Sequence, residues 1–79
     1  MSPEDLHLFT RRQPFEPFRI VLTDGKTYDV RHPDMLIATR RTAAIGVPSE
    51  ASQPTAERIV TVSLLHIVRL EPIDAATPA

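Results

Sequence analysis

The sequence predicts a mainly-β domain: a short N-terminal helix, then a five- or six-stranded antiparallel sheet that is strongly bent or closed into a small barrel. Three observations carry that prediction. Short runs of alternating apolar and polar residues recur along the chain, from Phe18-Arg19-Ile20 to Ile67-Val68-Arg69-Leu70. Asp24-Gly25 separates two such runs, a pairing suited to a hairpin turn. The only helix-start signal is Ser2-Pro3-Glu4-Asp5, where Ser2 caps, Pro3 takes the first helical position and the acids face the positive end of the helix dipole.

From that start, Leu6 and Phe9 share one helix face three residues apart. The helix is expected to run about three turns, stop before Pro14, and lie on the sheet through Leu6, Phe9 and Leu8. Gln13-Pro14-Phe15-Glu16-Pro17 is a stiff extended connector, with Phe15 and Phe18 anchoring it in the core. Phe18, Ile20 and Leu22 then face one side and Arg19, Val21 and Thr23 the other. After the turn, Tyr28 and Val30 point inward from Thr27–Arg31.

His32-Pro33-Asp34 interrupts this second strand, because proline cannot donate to a ladder. Met35–Thr39 reads as a third strand, Arg40-Arg41 as a tight connection, and Thr42–Val47 as a fourth. Gly46 inside the fourth strand marks a bulge or a close backbone approach. Pro48–Glu57 lacks apolar periodicity and reads as a mobile loop. The β-branched run from Arg58 to Leu64 follows, Leu65-His66 breaks the alternation, and Ile67–Leu70 closes the domain before Pro72. One domain over 1–72 and a disordered tail over 73–79 are expected.

Composition limits the function classes. The chain has 79 residues, no Cys, nine basic and ten acidic residues. No disulfide supports the small core, and self-association is the remaining common aid. A net charge of −1 gives no global support to phosphate-backbone binding. No apolar run is long enough to span a bilayer. The acidic N-terminus has no apolar signal core, so the cytoplasm is the expected compartment and no membrane partner is expected.

Ile20–Val30, with its alternation ending in Asp24-Gly25, resembles the first motif of the Sm-like small barrel. That family includes the bacterial RNA chaperone that forms hexameric rings. Val62–Leu70 resembles its last two strands and the 3₁₀ turn between them, an ending shared with SH3-like barrels. The resemblance implies an N-terminal helix, a strongly bent antiparallel sheet and assembly by strand-edge pairing. The family's RNA-binding residues are not matched. Leu65-His66-Ile67 stands where a basic residue, Gly and Asn are expected, and Leu64 and Leu65 stand near the Lys-His positions of the bacterial form. The stretch Arg12–Ile20 also resembles the Arg-x-Pro-Phe-x-Pro-Phe-Arg-Ile opening of a set of small bacterial proteins, which implies no function.

No catalytic residue, cofactor site or metal site is predicted. Metal binding needs convergent ligands. His7 stands alone on the helix, and His32 has only Asp29 and Asp34 beside it. Ser63 and His66 are close in sequence, but no nucleophile elbow or Gly-rich anion loop accompanies them. His66 reads instead as a cap on the turn before the last strand. Lys26, Arg31, Arg40 and Arg41 are candidates for a basic rim, with Tyr28 as a stacking face of the kind single-strand binders use. The leading expectation is a non-enzymatic module that self-associates or docks to a protein. Nucleic-acid binding through Lys26, Tyr28, Arg31, Arg40 and Arg41 is the alternative.

Overall fold

Ser2 opens the first element as expected. In the computed structural model, which describes residues 1–50 and 55–73, its Oγ accepts from the Asp5 amide at 3.2 Å. Helix α1 (Pro3–Thr10) follows and ends where the Arg11 amide bonds the His7 carbonyl. Its eight residues make about two turns rather than three. Leu6 is fully buried and Phe9 packs against the core, but Leu8 is 70% exposed and does not touch the sheet as expected.

Six strands come next: β1 (Phe18–Leu22), β2 (Thr27–Val30), β3 (Leu36–Ala38), β4 (Thr42–Pro48), β5 (Ala56–Ser63) and β6 (Ile67–Pro72). They form two three-stranded antiparallel sheets, ordered β2-β1-β6 and β3-β4-β5. The barrel alternative is therefore corrected. Among the described residues no ladder joins the two sheets, so each keeps its own edges. The chain passes between sheets twice, and each time through a 3₁₀ turn. Pro33–Met35 links β2 to β3, and Leu64–His66 links β5 to β6.

The physical cause of each crossing is local. Pro33 has no amide to extend the β2 ladder, and it sits at the start of its turn, where that loss is harmless. At the second crossing Ser63 Oγ caps the turn by accepting from the Leu65 amide at 3.2 Å. His66 joins that turn to the first hairpin. Its carbonyl accepts from the Thr23 amide at 2.8 Å, and its Nδ1 lies 3.3 Å from Thr23 Oγ1.

Asp24-Gly25 makes the hairpin turn. The Leu22 amide bonds the Lys26 carbonyl, Asp24 Oδ1 accepts from the Lys26 amide, and Gly25 takes φ +87°, a region side chains disfavour. Strand β4 runs one residue beyond the expected end, to Pro48, and β5 begins at Ala56, which pairs with Pro48 after a register shift. Both ends of the expected 48–57 loop are thus strand, and 51–54 lie outside the described residues. Of the expected tail over 73–79, residues 74–79 also lie outside them. Ile73 is held, its amide bonding the Pro17 carbonyl at 3.1 Å.

The core lies between the sheets, with α1 closing one end. Leu6 belongs to one buried cluster with Phe18, Ile20 and Val30 from one sheet and Leu36, Ala43 and Ile45 from the other. Phe18 is the aromatic centre, edge-on to Phe9 at 5.2 Å and to Phe15 at 6.1 Å between centroids. Burying each large side chain contributes about 1.5–3 kcal/mol. Among the described residues no helix is long and apolar enough to cross a membrane.

Candidate functional site

The hairpin register sets the first part of the site. Pairing around Asp24-Gly25 places Arg19 opposite Asp29, both on the side away from Phe18 and Ile20. Arg19 Nε donates to Asp29 Oδ1 at 2.8 Å, and a guanidinium nitrogen lies 3.5 Å from Oδ2. Arg31, just past the end of β2, reaches the same Oδ2 at 3.4 Å. One carboxylate thus orients two guanidinium groups. The hydrogen bond to Asp29, and then its charge, raise the Arg19 pKa above the ordinary guanidinium range.

The second part comes from the other sheet. The last residues of β4 and the first of β5 lie beside β2, and between them is a cleft of about 370 Å³. Tyr28, Arg19, Asp29 and Arg31 line one side; Met35, Ile45, Val47 and Pro48 supply apolar wall; Arg58 completes it. Gly46 lets the wall close up. A Cβ there would sit 2.7 Å from Met35 Sδ and 3.1 Å from Ala56 Cβ. The cleft size is at the lower end for small-molecule sites, roughly 300–1,000 Å³.

Charge in the cleft is unbalanced. Three arginines face it with one acid, Asp29. Among the described residues no carboxylate lies within ion-pair distance of Arg58. Glu71, opposite Arg19 on β6, also acts on Arg19 and is itself ion-paired with Arg69.

The five candidate residues separate into two places. Tyr28 and Arg31 line the cleft, with Tyr28 also packed on the core. Lys26, Arg40 and Arg41 do not line it. They sit in the β1–β2 and β3–β4 turns, toward the other ends of β1 and β4. The Arg41 carbonyl there accepts from the Leu64 amide at 2.8 Å. Arg19 and Arg58 were not among the sequence candidates. Arg19 was within reach, because a hairpin centred on Asp24-Gly25 pairs it with Asp29. Arg58 had no such signal, since it joins the cleft only through the β4–β5 register.

His32 also lines the cleft, and its carbonyl accepts from the Met35 amide. Among the described residues no three His, Asp or Glu side chains gather as a metal site would need.

A second feature lies on the edges. Four strands are edges, β2 and β6 of one sheet and β3 and β5 of the other. β5 and β6 carry outward apolar side chains, Ile59 at 70% and Val68 at 52% exposure, β3 carries Ile37, and Leu65 on the turn between β5 and β6 is 86% exposed. The fold and these features define a small two-sheet β module with an arginine-lined cleft and open strand edges that carry apolar side chains. No protein-family model, curated protein or solved structure matches the chain.

Proposed function

We propose that this chain is a non-enzymatic interaction module that associates with further copies of itself through its open strand edges. In this arrangement β5 of one copy pairs with β6 of the next, as in an Sm-like ring. The observation that supports it most is that two of the four edge strands, β5 and β6, follow one another in the chain and bear Ile59, Val68 and the neighbouring Leu65. A free edge presents unpaired amides and carbonyls, and natural proteins usually protect it with charge, proline or a cover. Here apolar side chains accompany both edges. The two edges are different surfaces, so their pairing is head-to-tail and closes into a ring or continues as a filament.

Light scattering behind a sizing column, at two protein concentrations, tests this reading. The expected mass is a multiple of the 8.8 kDa chain. The double variant Ile59→Lys/Val68→Lys is expected to run as a monomer, because lysine on an edge opposes pairing. A wild-type monomer at both concentrations removes the proposal.

A further inference from the structure

We infer that the cleft between β2 and the β4–β5 end binds a small organic phosphate, a phosphate monoester carried on an apolar or aromatic body. The cleft shares Arg58 with the β5 edge strand, so ligand binding is compared in the wild-type chain and in Ile59→Lys/Val68→Lys, and a site present in both does not depend on self-association.

Three features lead to that ligand. The first is charge. Arg19, Arg31 and Arg58 line the cleft with Asp29 as the one carboxylate in the lining. Glu71, which lies opposite Arg19 on β6, is ion-paired with Arg69, so the lining keeps a surplus of two positive charges. A phosphate monoester carries roughly −1.5 to −2 at pH 7, whereas a single carboxylate would leave a cation unmatched. The second is orientation. Asp29 holds Arg19 by two contacts and Arg31 by one. Each guanidinium has five N–H donors in a rigid fork, so most remain for a ligand. Groups fixed before binding lose less entropy on binding, and arginine forks suit phosphate oxygens. The third is the wall. Tyr28, Met35, Val47 and Pro48 give the same cleft an apolar side, which bare phosphate would not use. Arginine forks and apolar side chains that line one open-sided cleft fit a ligand with both parts.

The whole ¹⁵N-labelled chain is titrated with phenyl phosphate, benzoate, phenol and a short 5′-phosphorylated oligonucleotide while amide shifts are followed. Phenyl phosphate is expected to shift Thr27–Arg31, Gly46, Val47 and Arg58. Benzoate and phenol are each expected to bind at least about tenfold more weakly. Arg58 is exposed, so Arg58→Glu keeps the fold and is expected to weaken phenyl phosphate by about tenfold or more, with Arg31→Gln as a milder second variant. Four results overturn the inference: no shifts in the cleft, benzoate or phenol bound as tightly, undiminished binding by both variants, or an oligonucleotide bound more than about tenfold more tightly than phenyl phosphate. The last would assign the cleft to nucleic acid instead.

Discussion

At the scale of single residues, Gly46 decides how close β4 approaches its neighbours. A methyl group at this position meets Met35 Sδ at 2.7 Å and Ala56 Cβ at 3.1 Å. In an open strand Gly→Ala gains about 0.4–1 kcal/mol, because the unfolded chain has less freedom to lose. Overpacking a tight site instead costs about 1–3 kcal/mol. The Ala56 contact decides between them, since its Cβ is fixed to the paired strand and cannot swing aside. Gly46→Ala is therefore expected to lower the urea midpoint with the slope unchanged. A raised midpoint would mean that Met35 and β5 yield freely. The sequence shows that Gly46 is unusual within a β run, but not whether a bulge or a close approach explains it. The close approach does, and the register shift falls one position later, between Val47 and Pro48. Arg19 and Asp29 are legible in the same partial sense. Their alternation puts them on one side and the hairpin pairs them, but that Asp29 also holds Arg31 depends on the path of the chain after Val30.

At the scale of elements, α1 separates a buried from an exposed leucine. Leu6 is fully buried among both sheets, and Leu8 is 70% exposed. Leu6→Ala is expected to cost about 2–5 kcal/mol, as cavity-forming core changes do. Leu8→Ala is expected to stay within about 0.5 kcal/mol, as exposed sites do. Chemical unfolding of the two variants checks the pair, and equal losses would place Leu8 in the core as well. Leu6 and Phe9 were legible as a face because they lie three apart. Leu8 was not, because a helix of eight residues has room for only one narrow apolar stripe. The strands were more legible than their ends. Asp24-Gly25 and Pro33 are local punctuation that acts whatever surrounds it. Pro48 looked like a loop residue, yet as the last residue of β4 it still extends the strand, where its missing amide is tolerated.

At the scale of the whole molecule, the question is what two small sheets need in order to stay together. Alternation in sequence revealed strands but not which sheet each joins, and so could not separate a bent sheet or barrel from two sheets. Pairing is settled by contacts distant in sequence, such as Phe18 with Pro72. The cleft is a product of that same arrangement, because Arg58 and Arg31 come from different sheets and line it together. With no disulfide and a core this small, a chain of this size buries only about 60% of its unfolded surface, so edge pairing between copies would add stability that a lone copy lacks. Linkage makes this measurable. A partner present at about a hundred times its dissociation constant adds about 2.7 kcal/mol, and each kcal/mol moves the midpoint of a domain this size by about 4–8 °C. The thermal midpoint of the wild-type chain is thus expected to rise by about 10–20 °C across a dilution series that spans the association. Ile59→Lys/Val68→Lys is expected to melt at one temperature throughout, near the most dilute wild-type value, since neither side chain is buried in the single chain. A wild-type midpoint that ignores concentration would mean that the folded chain stands alone, and that Ile59, Leu65 and Val68 are exposed for some reason other than self-association.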